Sequence, residues 1–391
     1  MVNVEEALKI LSDNGINLLS ERLKVSAALE QVLAADVLSP IDMPSFNQSA
    51  MDGYAFNFHP DQKSYNVVAE VAAGSANNPK LNKGEGARIF TGAMVPDDAN
   101  IVVQQEWIDR VADVATITES VQIGRNIRLQ GEQIKKGSIA LEKGTLITPA
   151  AVGFLTGLGI AEIEVYQNPK IALITTGNEL VKVGQDLKPG QIYESNSEML
   201  AAVLSHYNFN DYSLDTVADN YDATRNMIRS AIDNSDVVIL TGGISVGDYD
   251  FVGKALQEIA VSELFYKINQ KPGKPIYVGK KEGTLIAGLP GNPAAALTCF
   301  YMYILPAMHQ MIGKGFNGLE KIEIPLGENY TKKGSRAEFL KANIVDGEAF
   351  VLGMQSSAML RSFSVSQALV FIPSTTSSVA KNDLVTAYKL T

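Results

Sequence analysis

Cysteine and histidine are scarce in this 391-residue sequence, which contains one cysteine, Cys299, and three histidines. An intramolecular disulfide is therefore impossible, and a lone thiol in an apolar helical pattern suits a reducing compartment, so we expect a cytoplasmic protein. The histidines form no metal-ligand cluster with the cysteine along the sequence, and a catalytic triad built on histidine is disfavoured.

Long apolar runs and an excess of positive charge are also absent. No apolar run reaches the ~18 residues that a membrane span needs, and the first residues lack the basic and apolar regions of a signal peptide. Lys and Arg number 33 against 43 Asp and Glu, which gives a net charge of −10. Because no basic stripe offsets these acids, we expect neither a membrane nor a nucleic-acid partner. No Walker-type loop or Rossmann fingerprint occurs.

The length and the apolar content predict several folded domains. The chain exceeds the roughly 250–300 residues at which a single core stops growing, and 46% of its residues are hydrophobic. We expect an N-terminal region over residues 1–168, a central α/β domain over 169–312 and a C-terminal β domain over 313–391.

The N-terminal region begins with a helix signal, because Asn3 and Glu6 have the spacing of a capping box. This helix is predicted to end near Asn14-Gly15. A second predicted helix begins near Ser26 and carries three apolar residues on one face: Leu29, Val32 and Leu33. From about 50 to 145, short apolar stretches alternate with turns, which predicts an inserted β-rich module.

The central domain alternates apolar strands with helical patterns. The predicted strands cover 171–174, 212–217, 236–240 and 285–287. Strands that alternate with helices of 10–15 residues predict a parallel sheet with helices on both faces. Beyond residue 313, short strands separated by turns predict a small all-β module.

Acidic residues follow three of the central strands: Glu179, Asp219, and Asp250 in the stretch that runs from Asp236 to Asp250. The carboxyl ends of parallel strands share one edge, where ligands bind in α/β folds. Carboxylates in one crevice repel one another unless a cation joins them, and Mg²⁺ or a cationic substrate would do so. For each acid the alternative is a helix cap or a solvated turn, which is how we interpret Asp248.

Two further segments have the composition of an anion site. Residues 267–275 place Lys267, Lys271 and Lys274 around two prolines and a glycine, which suits phosphate or another oxyanion. In residues 289–293, Asn292 and Pro293 suit the start of a helix, whose free N–H groups attract anions. A solvated turn and an ordinary capped helix are the alternatives.

Three residues of the N-terminal region are further candidates. Asp52 lies beside a glycine and a tyrosine, Thr91 precedes a glycine turn, and Arg128 lies near Arg125. Each segment alone also fits an ordinary turn.

Taken together, these segments resemble the molybdopterin molybdenumtransferase family, which includes MoeA and the E domain of gephyrin. The matching motifs occur in the family's order: SAMDGYA at 49–55, TGAMVP at 91–96, NIRLQGEQI at 126–134, TTGNEL at 175–180, TGGISVGDYD at 241–250, KPGKP at 271–275 and LPGNP at 289–293.

The resemblance implies an elongated N-terminal part with a β-rich insert, a molybdopterin-binding three-layer α/β domain and a C-terminal β-barrel. It also implies a homodimer whose active site is shared between subunits. The implied reaction joins adenylylated molybdopterin and molybdate, with Mg²⁺, to give molybdenum cofactor and AMP. The molybdopterin adenylyltransferase is a candidate partner.

The resemblance and its motifs together specify the site residues. The expected catalytic residues are Asp52, Glu179, Asp219 and Asp250, of which the last three would also bind the metal. The expected substrate-binding residues are Thr91, Arg128, Lys267, Lys271, Lys274, Gly242, Gly243, Ser245, Pro290, Gly291, Asn292, Pro293 and Ser357.

The sequence departs from the family pattern at two places. Gln133 stands where the family commonly has an acid, and Gln355-Ser356-Ser357 replaces a Gln-Gly-Ser segment. Two other functions stay open at this point: the adenylylation of molybdopterin, and a non-catalytic scaffold that binds the pterin.

Overall fold

The computed structural model describes residues 1–16, 18–244 and 251–390. The chain divides into two compact units, one formed by Arg22–Val165 and the other by Met1–Glu21 with Tyr166–Thr391. The predicted residues Ser245, Asp248 and Asp250 lie outside the described residues. Among the described helices, none combines the length and apolarity that a bilayer crossing requires.

Helix α1, Val4–Asp13, begins as predicted. The Glu6 amide donates to the Asn3 side chain at 2.7 Å, and the Asn3 amide donates to the Glu6 carboxylate at 2.9 Å. These two bonds satisfy amides that the first helical turn leaves free. One face of the helix buries Val4, Ala7 and Leu11.

The unit Arg22–Val165 is β-rich, as the sequence predicts. In chain order its elements are β1 Ser20–Lys24, β2 Val37–Leu38, β3 Gln48–Ser49, β4 Gly53–Phe56, β5 Ser64–Val71, β6 Glu85–Ile89, β7 Ile101–Gln104, β8 Ile108–Val111, β9 Val114–Ile117, β10 Ile127–Arg128, β11 Ile139–Leu141, α2 Pro149–Gly157 and β12 Glu162–Tyr166. Six of the strands form one sheet in the order β7-β4-β6-β5-β9-β8. Successive residues of β4 enter two different cores, so both faces of this sheet are covered.

The predicted helix near Ser26 was wrong. A short 3₁₀ turn, Val25–Ala27, stands there instead. Val32 bridges to Leu146 and Leu33 to Val165 through the backbone. Both side chains are buried, and Leu33 packs in one core with Ala151 and Leu155 of α2. The apolar pattern therefore reflects extended chain rather than one helical face.

The other unit contains the α/β domain. Its elements up to residue 312 are β13 Ile171–Thr176, β14 Leu180–Val181, β15 Ile192–Tyr193, α3 Asn196–His206, β16 Tyr212–Val217, α4 Tyr221–Asn234, β17 Val237–Thr241, α5 Phe251–Glu258, β18 Ser262–Tyr266, β19 Gln270–Lys271, β20 Tyr277–Lys281, β21 Thr284–Leu289, α6 Pro293–Cys299 and α7 Leu305–Met311.

The six-stranded sheet has the order β16-β13-β17-β21-β20-β18, and its first four strands are parallel. Leu173 and Ile239 enter one core with α3 and α6, whereas Ile174 and Leu240 enter another with α4 and α5. The prediction of a parallel sheet covered on both faces is confirmed for these four strands.

Strands β20 and β18 run antiparallel to their neighbours, which the sequence analysis did not predict. Strands β20 and β21 form a hairpin around Glu282 and Gly283, which have φ of 51° and 91°. Two consecutive positive φ angles are typical of a tight two-residue hairpin turn.

The helix that the sequence predicts to begin at Pro293 is interrupted by a π-helical stretch, Phe300–Ile304. Pro306 follows closely. Proline has no N–H for the carbonyl of Met302, and its ring would collide with that carbonyl in a regular α-helix. A wider turn before the proline relieves that conflict.

The C-terminal region is β-rich, as predicted. It contains β22 Lys321–Pro325, β23 Tyr330–Thr331, β24 Ala337–Val345, β25 Glu348–Val351, α8 Leu360–Phe363, β26 Ala368–Ile372, β27 Ser378–Val379 and β28 Leu384–Lys389. A sheet of order β19-β24-β26-β28-β22 joins it to the α/β domain, because β19 pairs in parallel with β24.

The capping box of α1 generates a prediction. Asn3→Ala should weaken the first turn by about 1 kcal/mol and speed hydrogen exchange of the α1 amides. Lys9→Ala is the control, because it removes an ion pair with Asp13 that is exposed on both sides and that is worth at most about 0.5 kcal/mol. Equal acceleration by the two variants, measured by mass spectrometry, would contradict the prediction.

Candidate functional site

A cavity of about 350 Å³ lies at the carboxyl edge of the parallel strands. It is called the sheet-edge cavity below. Its lining residues are Thr176, Gly177, Glu179, Asp219, Gly242, Gly243, Ile244, Pro275, Pro290, Gly291 and Asn292. Thr175 pairs with Thr241 and Thr241 with Leu289 in the parallel ladder. This register aligns the ends of β13, β17 and β21, so segments distant in sequence meet at one edge.

Two of the predicted acids, Glu179 and Asp219, line this cavity together. The Asn178 amide donates to the Asp219 carboxylate at 3.1 Å, and the Asp219 amide donates to the Asn178 side chain at 3.2 Å. This reciprocal pair fixes the loops after β13 and β16 against each other. Within residues 1–16, 18–244 and 251–390, no group of three or more His, Cys, Asp or Glu could hold a metal; the predicted third acid, Asp250, lies outside them.

The floor of the sheet-edge cavity contains a hydroxyl group that the sequence analysis missed. Thr176 is 7% exposed, and its Oγ1 atom has no hydrogen-bond partner among the described residues. A Cβ on Gly242 would lie 2.6 Å from the Thr176 carbonyl oxygen, and one on Gly243 would lie 3.0 Å from Thr176 Oγ1. Both glycines also have positive φ. Glycine is therefore needed here for the backbone to close over the threonine.

A second cavity, of about 520 Å³, adjoins the first and is called the cationic cavity below. Its lining residues are Lys271, Pro272, Gly273, Lys274, Pro275, Pro290, Asn292, Ala295, Arg336, Gln355, Ser356 and Ser357. Three of them, Pro275, Pro290 and Asn292, also line the sheet-edge cavity. The cationic cavity therefore brings three cations next to the two acids.

Glu338 lies beside the cationic cavity and pairs with Lys271. The Lys271 ammonium lies 3.4 Å from the Glu338 carboxylate, and Tyr330 donates its hydroxyl to the other carboxylate oxygen at 2.6 Å. Glu338 is 2% exposed. Burial and the Glu338 carboxylate raise the pKa of Tyr330 above its ordinary value, so the tyrosine remains a hydrogen-bond donor.

Lys267 is not among the residues that line either cavity. Its ammonium lies 4.5 Å from the centroid of the Tyr266 ring, a cation–π contact. Pro293, at the first position of α6, is likewise absent from both linings. Ser357 does line the cationic cavity, and its hydroxyl accepts a hydrogen bond from the side-chain amide of Asn292 at 3.1 Å.

Arg336 of the cationic cavity was not among the predicted residues. It precedes β24, which pairs with β19 so that Lys271 is opposite Glu338. Arg336 then donates to the Gln270 carbonyl at 3.3 Å. No local motif reveals such a partner. Gln355 and Ser356 also line this cavity, and they belong to the segment in which only Ser357 was predicted as a site residue.

Asp52 and Thr91, predicted in the unit Arg22–Val165, form a hydrogen-bonded pair. The Thr91 amide and hydroxyl donate to the same Asp52 oxygen at 2.7 and 2.8 Å. These two bonds, with Arg88 nearby, hold the pKa of Asp52 below its ordinary value. Asp52 is thus kept as an exposed carboxylate.

Arg128 lines a separate cavity of about 460 Å³ in the same unit. Gln133, the residue that departs from the family pattern, lines it too, beside Asp42 and Glu132. The Gln130 side chain donates to Asp42 at 3.1 Å. A neutral amide therefore stands in a polar cavity that already contains two carboxylates and one guanidinium.

Comparisons with known proteins bear on this arrangement. Three family models match consecutive parts of the chain: "MoeA N-terminal region (domain I and II)" over residues 2–159, "Probable molybdopterin binding domain" over 172–310, and "MoeA C-terminal region (domain IV)" over 323–390. A molybdopterin molybdenumtransferase of Staphylococcus epidermidis is 30% identical over 95% of this chain and 91% of its own length. The chain belongs to the MoeA family of molybdopterin molybdenumtransferases.

Other members of the family agree with this assignment. A molybdopterin molybdenumtransferase of Haemophilus influenzae is 37% identical over 75% of this chain and 74% of its own length. The crystal structure of a MoeA molybdopterin biosynthesis protein from Pyrococcus horikosii superposes with a TM-score of 0.85 at 29% identity, covering 100% of this chain and 99% of that one. The predicted family and fold class are confirmed.

The Asp52–Thr91 pair generates a second prediction. Thr91→Val removes the hydroxyl bond and keeps the amide bond, so the pKa of Asp52 should rise toward its ordinary value. The carboxylate would then protonate at a higher pH than in the wild type. The ¹³C carboxyl resonance, assigned with Asp52→Asn, reports the midpoint. Thr91→Ser should keep the wild-type midpoint, and an unchanged midpoint in Thr91→Val would refute the prediction.

Proposed function

We propose that this chain inserts molybdate into adenylylated molybdopterin and releases AMP, forming molybdenum cofactor. The observation that carries the proposal is the direct contact of two cavities of opposite character, which share Pro275, Pro290 and Asn292. One presents carboxylates and a buried hydroxyl, and the other presents three cations. Cations can bind anionic substrates directly, whereas carboxylates favour them only by holding a cation such as Mg²⁺.

The cationic cavity suits the oxyanion. Lys271, Lys274 and Arg336 supply charge, while Ser356 and Ser357 supply short polar side chains next to them. Charge-assisted hydrogen bonds to an oxyanion are stronger than neutral ones, and a guanidinium can donate two at once. Glu338 keeps the Lys271 ammonium near the cavity wall and limits the net positive charge there.

The sheet-edge cavity suits the phosphoanhydride and the expected Mg²⁺. Glu179 and Asp219 offer carboxylate oxygens, which are the ligand type that Mg²⁺ prefers. Asp250 is proposed as a further ligand. A bound Mg²⁺ would neutralise charge on the phosphate oxygens as AMP departs.

The proposed enzyme is a homodimer. Asp52, with Thr91, would act from the partner subunit of a homodimer as an acid–base or orienting group, and Arg128 would contribute charge in the same way. Gly242 and Gly243 approach Thr176 closely. Their backbone would therefore form a wall of the sheet-edge cavity against the substrate. The enzyme would work in the cytoplasm, with Mg²⁺ as cofactor and a molybdopterin adenylyltransferase supplying its substrate.

The carboxylates generate a third prediction. Asp219→Asn should lower AMP release from adenylylated molybdopterin, in the presence of molybdate and Mg²⁺, by about tenfold to a hundredfold. The matched control is Asp233→Asn, an exposed acid near the C-terminal end of α4. The assay measures AMP and active cofactor together. If Asp219→Asn kept both rates, the assignment would be wrong.

Two results would favour other functions. Formation of adenylate from molybdopterin and ATP without molybdate would favour an adenylyltransferase. Tight binding of the pterin without turnover would favour a scaffold.

The cations generate a fourth prediction. Arg336→Met should raise the KM for molybdate by about tenfold, because one charge-assisted hydrogen bond is lost, and should leave the KM for the adenylylated pterin nearly unchanged. Lys381→Met, at an exposed lysine of the C-terminal region, is the control for lost surface charge. Equal KM values for molybdate in the two variants would exclude Arg336 from the oxyanion site.

A further inference from the structure

Lys341 lies in β24 with 3% of its surface exposed. Its ammonium donates to the carbonyl oxygens of Met354, Met359 and Ser356 at 3.0, 3.1 and 3.4 Å. No carboxylate of the described residues lies within ion-pair distance of it. A cation is thus buried against backbone carbonyls alone.

The backbone of Lys341 holds the same segment. Its amide donates to the Gln355 side chain at 3.0 Å, and its carbonyl accepts from the Gln355 side chain at 2.8 Å and from the Leu352 amide at 2.9 Å. The Ser362 hydroxyl adds a bond to the Met354 carbonyl at 2.8 Å. Segment 352–359 is therefore hydrogen-bonded to both the backbone and the side chain of Lys341.

A buried ammonium is costly unless it has hydrogen-bond partners. Burial lowers the pKa of Lys341, which reflects that cost. An apolar residue at this buried strand position would have a lower desolvation cost. It could not, however, donate hydrogen bonds to three carbonyl groups of an irregular segment.

Segment 352–359, which Lys341 holds by hydrogen bonds, forms a wall of the cationic cavity, because Gln355, Ser356 and Ser357 all line that cavity. Its far side is tied to α6, where the Ala295 amide donates to the Ser357 carbonyl at 3.2 Å and Asn292 donates to the Ser357 hydroxyl. Lys341 therefore fixes one side of the wall, and α6 fixes the other.

We infer that Lys341 is a positioning residue for the oxyanion substrate, holding segment 352–359 so that Ser356 and Ser357 face the bound anion. This inference rests on the proposed function, because it names a determinant of the same site. Lys341 itself does not line the cavity and is not a catalytic residue.

The chain offers a matched control in Lys332. This lysine is also buried, at 8% exposure, and its ammonium donates to the carbonyls of Pro373 and Ser374 at 2.6 and 2.9 Å. Neither Lys332 nor those carbonyl residues line the cationic cavity. A purely structural role for buried lysines in this region would give both positions the same phenotype.

The test compares Lys341→Met, Lys341→Arg and Lys332→Met in the full-length protein. Lys341→Met should raise both the KM and the calorimetric Kd for molybdate by about tenfold, because the serines lose their fixed positions. Its kcat at saturating molybdate should change less. Hydrogen exchange in 352–359 should increase, and Lys341→Arg should restore part of the affinity. Lys332→Met should lower the melting temperature but leave the KM and Kd unchanged.

Several outcomes overturn the inference. A molybdate Kd that is unchanged in Lys341→Met, or raised equally in Lys332→Met, excludes a positioning role. If Lys341→Met does not fold, Lys341→Gln takes its place under the same criteria. Wild-type protein that binds molybdate without releasing AMP would refute the proposed function, and the Kd values would still decide the role of Lys341. Wild-type protein that binds no molybdate overturns both.

Discussion

The parallel register of β13, β17 and β21 is the constraint on which the candidate site depends. It brings Thr176, Gly242 and Pro290 to one sheet edge although they are far apart in sequence. Each strand buries alternate side chains in two cores, so a shift of one residue would exchange the two faces of a strand and is strongly opposed. The geometry of the sheet-edge cavity thus follows from hydrophobic packing that does not itself touch a ligand.

A second constraint is the short pairing of β19 with β24. Two residue pairs, Gln270 with Ala337 and Lys271 with Glu338, connect the lysine segment to the C-terminal region. The pairing places Lys271 beside a buried carboxylate and brings Arg336 to the same cavity. The C-terminal region therefore contributes part of the wall of the cationic cavity as well as its own core.

The sequence was informative where a signal is local or periodic. The capping box of α1, the strand at 212–217 and the glycines after β17 could all be recognised from neighbouring residues. The patterns failed where a distant contact decides the structure. Val32 and Leu33 follow a helical spacing but pair with Leu146 and Val165. Arg336 and Lys341 carry no motif, since their roles arise from the pairing of β24 and from the irregular segment that follows β25. The placement of Asp52 relative to the sheet-edge acids stays a prediction.

Charge separation explains how a chain with net charge −10 can present a site for anions. The acids of the sheet-edge cavity and the cations of the cationic cavity are adjacent, but Pro275, Pro290 and Asn292 stand between them as shared wall. None of these three residues is charged, so they do not cancel the charge of the residues that line either cavity. Glu338 is buried behind Lys271 rather than inside the cavity lining, which orients the ammonium without placing a carboxylate where an oxyanion would bind. Lys341 adds positive charge behind the segment that contains the lining residues Gln355, Ser356 and Ser357. The three cations that line the cationic cavity can therefore contact an anion directly although the chain as a whole is acidic.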